Sequence, residues 1–302
     1  MRAQETLFSA IYPWECDIND ALSIDRYFER FDEADRQFRL ISNLTETTVG
    51  QRRVRIARIH NHLKPHDLVS LHSYIAFDGP FMMTVVHEMR HAQNDILCAT
   101  VIDGFQPNTN AVTDVRKRFD AFQGRLDKIS IPTLLDIAAS HSKSSMDSLM
   151  SMGTRICFRG TVFPRDVGPE GTAGDQLVVH AFSQATEHLL LQEGVEANAS
   201  KGDQFGGTPL QEMKLTWVSP LKAGDVFLVM SALHHQKTGP DLFRHHLFEA
   251  RTKRTIAICE SRKNESTRAP RDAESSEVED LAFSLETVFP NGKPKRNALF
   301  DL

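Results

Sequence analysis

The sequence predicts an α+β protein made of two copies of one unit, each a long helix wrapped by an antiparallel sheet. Three observations predict it. Residues 11–38 and 162–189 overlay at one constant offset, which carries Ile11 onto Val162 and Pro13 onto Pro164. A turn-rich stretch and then an apolar stripe of helical spacing follow in both copies. Four strand-like runs come next, twice, in the same order.

Taken in order, the first strand of each copy ends at the matched prolines. The loop that follows is Asp17-Ile18-Asn19-Asp20 in one copy and Gly168-Pro169-Glu170-Gly171 in the other. In the first helix Tyr27, Phe31, Ala34, Phe38 and Ile41 recur at steps of 4, 3, 4 and 3, one face of an α-helix. Asp25, Glu29, Arg30, Asp32, Glu33 and Arg36 occupy the rest and are expected to face solvent. Val178, Phe182, Ala185 and Leu189 fall at the matching positions of the second helix. Strands are expected over 53–63, 68–77, 81–91 and 96–105, and again over 210–221, 226–234, 242–250 and 255–260. The turns 63–67 and 221–225 also match, both opening Leu-Lys and ending in Asp. A single helix buries its apolar face by being wrapped by such a sheet.

This divides the chain into a first repeat over 1–107, a connector over 108–152, a second repeat over 153–262 and a tail over 263–302. The connector is expected to carry short helices at 134–139 and 146–150. The tail is charged and Ser-rich and reads as partly mobile, with Leu281, Phe283, Leu285, Val288 and Phe289 available to dock a last segment.

Composition narrows the function. A net charge of −5 offers no electrostatic footprint for nucleic acid. No apolar run reaches the roughly 18 residues of a membrane span, so no membrane partner is expected. Residues 1–6 lack the apolar core of a signal peptide, which leaves a cytoplasmic location by default. The four cysteines lie far apart with no CxxC pair and read as free thiols of a reducing compartment. His60 and His62 would share a strand face, but no third ligand has metal-site spacing, so no metal is expected. There is no P-loop and no GxGxxG after a strand, hence no nucleotide cofactor.

The run from Trp14 to Phe28, followed by Phe31-Asp32-Glu33-Ala34, carries a family resemblance. It resembles the signature of the 4-hydroxybenzoyl-CoA thioesterase family, whose fold is the hotdog. The resemblance covers 7–105 and 154–262 and is strongest in the first turn and helix. The layout, with a second copy opening Phe158-Arg159-Gly160-Thr161-Val162, is similar to bacterial double-hotdog thioesterases found with carnitine and betaine catabolism. The resemblance implies a tandem hotdog that hydrolyses an acyl-CoA thioester. Asp17 would be nucleophile or general base, with Asn19 positioning it. Ser23, Tyr27, Gly50, Gly206, Gly207 and Gln176 would line the substrate, the glycine turns lending backbone N–H groups to the oxyanion. Coenzyme A enters only as part of the substrate, and no other cofactor is implied. Pairing of two chains as a homodimer is an expectation of the same resemblance.

Departures qualify this. Asp20-Ala21 stands where the family has Gly-His, and Ser23 replaces the usual Asn. A histidine-assisted mechanism therefore has no histidine at that position. Gly168 stands at the Asp17 position of the second copy, so one competent site per chain is expected. Asp17 also has a plain reading as a turn residue bonded to its own backbone, and Ser23 as a helix cap. Two other functions stand beside hydrolysis. An enoyl-CoA hydratase would need a histidine where Leu22 stands, and a non-catalytic acyl-CoA-binding protein would need no base at all.

Overall fold

The computed structural model describes residues 3–17, 19–45, 49–81, 83–105, 112–136, 144–168, 170–192, 210–235 and 241–263. The first unit comprises β1 (Gln4–Ala10), a 3-10 turn (Pro13–Glu15), α1 (Ile24–Ser42), β2 (Arg52–Ile59), β3 (Leu68–Ala76), β4 (Met83–His91) and β5 (Leu97–Phe105). The second comprises β6 (Arg155–Thr161), a 3-10 turn (Pro164–Asp166), a long helix (Asp175–Gln192), β7 (Leu210–Trp217), β8 (Val226–His234), β9 (Leu242–Glu249) and β10 (Thr255–Lys263). Between them lie the short helices α2 (Val112–Arg118) and α3 (Met146–Ser151), so the long helix of the second unit is α4.

All ten strands form one antiparallel sheet in the order β1-β3-β4-β5-β2-β7-β10-β9-β8-β6. The order reads the same from both ends when each strand is exchanged for its counterpart. The units join where β2 pairs with β7, Arg55 opposite Leu215, which removes an exposed edge from each. The loops share much of their backbone bonding. Asp17 N–H donates to Ala21 O and Gly168 N–H to Thr172 O; Leu22 N–H donates to Leu63 O and Ala173 N–H to Leu221 O; Ile11 N–H donates to Asp67 O and Val162 N–H to Asp225 O. At the tip the chain turns left-handed, at Asp20 (φ 55°) in one copy and Gly171 (φ 72°) in the other, a conformation Asp tolerates and Gly adopts freely.

Both helices bury their expected stripes: Tyr27, Phe31, Ala34 and Phe38 on α1, and Val178, Phe182, Ala185 and Leu189 on α4. Fully burying one such phenylalanine contributes about 1.5–3 kcal/mol. The expectation for the polar face of α1 fails at three residues, Asp25 among them with its side chain 15% exposed. Arg30 is buried and the side chain of Asp32 only 19% exposed. The helix has a second covered flank, because α4 packs along it and the loop before α1 folds over Arg30. Ile41 is corrected the other way. It is 47% exposed, and Ser42 takes the buried place, its hydroxyl donating to Phe38 O. Asn43, left-handed at φ 55°, ends the helix.

Strand 53–63 stops at Ile59 and strand 210–221 at Trp217, so His60 and His62 lie beyond the ladder rather than on one strand face. Residues 134–136 of the expected helix lie in a 3-10 turn over Thr133–Asp136 and 137–139 lie outside the described residues; α2 was not foreseen. The tail beyond 263, with its docking segment, lies outside the described residues. No described helix is long and apolar enough to cross a membrane.

Candidate functional site

The site builds from the first 3-10 turn. The Glu15 carboxylate accepts from Tyr12 N–H (2.8 Å) and from Arg30 Nη2 (2.8 Å), and Arg30 also donates to Ala10 O. Burial would raise the Glu15 carboxyl, but Arg30 and the Tyr12 N–H outweigh it and hold it below the ordinary range. The turn is thereby fastened to α1. At its end the backbone reverses and presents Asp17, an exposed residue. Asp17 Oδ1 accepts from Asn19 N–H (2.8 Å) and Ala21 N–H (3.1 Å). Oδ2 has no hydrogen-bond partner among the described residues. One carboxylate oxygen is pinned and the other is open.

The neighbours of Asp17 are informative. Burial, with the charges of Asp17 and Glu15, pushes the Cys16 thiol up, which disfavours a thiolate nucleophile. Leu22 N–H ties the turn to Leu63 O, which brings the adjoining His62 close. Burial pushes the His62 imidazole down, and Asp17 opposes that shift.

The other sequence-chosen residues scatter. Asn19 is exposed beside Asp17. Ser23 caps α1 in an extended conformation without a side-chain hydrogen bond. Tyr27 is buried, and its hydroxyl accepts from Leu63 N–H (3.2 Å). Burial pushes the Tyr27 hydroxyl well up. Gly50, half-buried, takes φ 74° just before β2. Gln176 is half-buried on the first turn of α4. Gly206 and Gly207 lie outside the described residues. The structure thus brings Asp17 and Asn19 into one turn at the foot of α1, with Ser23 at its exit.

What the sequence reading missed is a buried charge cluster between the helices. Arg55 forks onto Asp103, Nε to Oδ1 at 2.8 Å and Nη2 to Oδ2 at 2.7 Å. Its Nη1 donates to Asp32 on α1 and to Asp175 at the start of α4. Arg52 Nη2 reaches Asp175 Oδ2 at 2.7 Å, Trp217 Nε1 donates to Asp175 Oδ1, and Asp175 N–H donates to Asp32 Oδ2. Arg39 holds Asp35 at 2.9 Å. Burial would raise the Asp103 carboxyl, but Arg55 and Arg52 outweigh it and hold it far below the ordinary range. Asp32 goes the other way, raised by burial and by the charge of Asp175 more than the arginines lower it. Two arginines on β2 and an aspartate inside the apolar run of β5 were the sequence signal.

Stability should follow the two carboxylates with opposite signs. Asp103 binds its proton more weakly folded than unfolded. Its stabilisation is therefore complete above the ordinary carboxylate range, about pH 4, and drains as pH falls through and below it. Asp32 binds its proton more tightly when folded, so it offsets part of that loss. Urea unfolding should show lower stability at pH 3 than at pH 6, with a smaller difference in Asp103→Asn. An unchanged difference in the variant would contradict the assignment.

Two further readings of this region fail on burial and charge. Asp35, His87 and Asp103 offer three metal-ligating atoms within 4.8 Å of one another. However, Arg55 occupies both oxygens of Asp103 and Arg52 lies 3.6 Å from Asp35 and from Asp103. A cation there would face two fixed guanidiniums. Ser73 Oγ, His87 and Asp103 also form a series, with 2.7 Å from Oγ to Nδ1 and 3.4 Å from Nε2 to Oδ2. Ser73 and His87 are wholly buried. The Ser–His pair recurs as Ser231 and His245 at 2.8 Å, with Thr186, the helix counterpart of Asp35, at the other ring nitrogen. It is a repeated packing element.

No family model matches the sequence, and no curated protein matches it. Solved structures do share its fold. An acyl-ACP thioesterase from Bacteroides thetaiotaomicron superposes with a TM-score of 0.59 at 7% identity, over 85% of this chain and 96% of that one. The 12:0-ACP thioesterase from Umbellularia californica gives 0.58 at 10% identity, over 85% and 92%. The mostly antiparallel sheet with few helices is consistent with the hotdog-like fold of these two structures.

Proposed function

We propose that this chain hydrolyses an acyl thioester, with Asp17 as the general base or nucleophile and Asn19 positioning it. The observation that carries the reading is the half-open carboxylate. Asp17 Oδ1 is fixed by two backbone N–H groups while Oδ2 takes no hydrogen bond among the described residues, on an exposed side chain at the foot of a long helix in a thioesterase-like fold. A base so held takes a proton from water as the oxygen adds to the carbonyl carbon. The C–S bond then breaks and the thiolate leaves. In the nucleophilic variant Oδ2 adds instead, and water cleaves the resulting anhydride. The N-terminal end of α1 favours the negative charge that develops, and the Gly50 turn is the described candidate for an oxyanion donor.

The matched loops support a tandem hotdog in which the second copy, with Gly168 at the Asp17 position, has lost its carboxylate. One site per chain follows, with the acyl group lying between the halves. A thiol-release assay over a panel of acyl thioesters, betainyl, aromatic and medium-chain, tests the reading. Release from at least one member is expected. Binding without release from any of them would make the chain a non-catalytic binder.

Asp32 supports a second reading of the base. It keeps partial exposure within the cluster, burial and Asp175 raise its proton affinity, and the Asp175 N–H rests on its Oδ2. Against it, both Arg55 and Arg52 neutralise the same carboxylate.

A further inference from the structure

Two aromatic rings stand at the head of the Asp17 turn. Tyr12 and Trp14 stack with centroids 4.5 Å apart and planes 7° from parallel. Trp14 is 75% exposed and Tyr12 47%. The turn beneath them is rigid, because Glu15 is held by the Tyr12 N–H and by the buried Arg30. An indole presented flat on a fastened turn gains little from burial within its own chain. The second copy differs at the same place. There Phe163 carries the Arg165 guanidinium 5.0 Å over its ring, so that ring face is covered by the chain itself. The open aromatic face occurs in the copy that keeps its carboxylate, and the covered one in the copy with Gly168.

From this we infer that the Tyr12–Trp14 stack is the platform for the adenine ring of a coenzyme A thioester. The inference rests on the thioester reading and names its carrier. Trp14 stands three positions before Asp17, a reach of at most about 11 Å between α-carbons. The platform is thus a surface feature within reach of the open carboxylate, and an exposed ring suits the solvent-facing carrier end of a thioester better than its acyl chain. A flat, open π-face takes a planar ring, and a purine is the planar ring that coenzyme A adds to the pantetheine arm. A thioester borne on a carrier protein has no such ring, so the platform selects coenzyme A over it.

Calorimetric titration of the full chain with coenzyme A and with phosphopantetheine, which has the arm without the purine, tests this. Wild type should bind coenzyme A more tightly. Trp14→Ala should weaken coenzyme A about tenfold, the scale of losing one stacked base, and leave phosphopantetheine unchanged. Trp14→Phe should keep most of the affinity. Equal binding of the two probes by wild type, no binding of coenzyme A, or an unchanged affinity in Trp14→Ala would each overturn the platform. Binding needs no turnover, so the two readings fail separately. If coenzyme A behaves as expected while no thioester is cleaved, the hydrolase reading falls and the platform stands. Thioester cleavage with coenzyme A affinity indifferent to Trp14 gives the reverse.

Discussion

Arg55→Met is expected to destabilise the fold by about 3–5 kcal/mol, the cost of leaving buried charges without their partner. At roughly 3 °C per kcal/mol for a chain of this size, the melting temperature should fall by about 10 °C. The guanidinium is wholly buried and contacts Asp103, Asp32 and Asp175 at once. Its removal takes the bidentate partner from Asp103 and leaves Asp32 and Asp175 with Arg52 as their one remaining cation among the described residues. The second unit shows how the site can do without charge. The spacing that carries Ser73 onto Ser231 and His87 onto His245 carries Arg55 onto Met213 and Asp103 onto Ser261. Those pairs oppose each other identically on their strands, Arg55 with Asp103 and Met213 with Ser261. Both residues of the neutral pair are buried. Adding Asp103→Ser to Arg55→Met should therefore restore part of the loss, with a coupling of about 1 kcal/mol or more. Losses that simply add in chemical denaturation would show that the two side chains do not act as a pair.

The apolar stripes of α1 and α4, the order of the strands and the matched turns were all legible in the sequence, because burial on one face imposes its period directly. The strand ends at Ile59 and Trp217 were not, since His60, Val218 and Ser219 continue a strand-like composition and still bond to the neighbouring strands past the regular ladder. That Asp17 and Asn19 share a turn before α1 was legible in the Asp-Ile-Asn-Asp run. The cluster was missed because α1 reads as an ordinary amphipathic helix. Asp32 looks like any solvated residue until α4 is laid along that flank, and nothing local to residues 24–42 announces it. Arg30 was missed for the same reason, its partner Glu15 lying across the turn. Tyr27 shows the converse. A tyrosine near the site invites a catalytic hydroxyl, yet its oxygen is spent on the Leu63 N–H inside the core.

Asp17→Asn is expected to lower kcat/KM for thioester hydrolysis by at least about a hundredfold, and up to about ten-thousandfold, the range for losing a general base. Stability should change by less than about 1 kcal/mol. The amide oxygen of Asn accepts the same two N–H bonds from Asn19 and Ala21, so the turn survives while the base is lost. Asp32→Asn reports on the competing carboxylate. It disturbs the contacts with Arg55, Arg52 and Asp175 N–H, and its effect should be seen in melting temperature more than in the chemical step. The direct test is thiol release measured side by side for wild type, Asp17→Asn and Asp32→Asn, each with its melting temperature. The account predicts that release collapses in Asp17→Asn with folding intact and persists in the folded fraction of Asp32→Asn. Full activity in Asp17→Asn, with loss in a well-folded Asp32→Asn, would contradict it and move the reaction from the turn to the cluster between the helices.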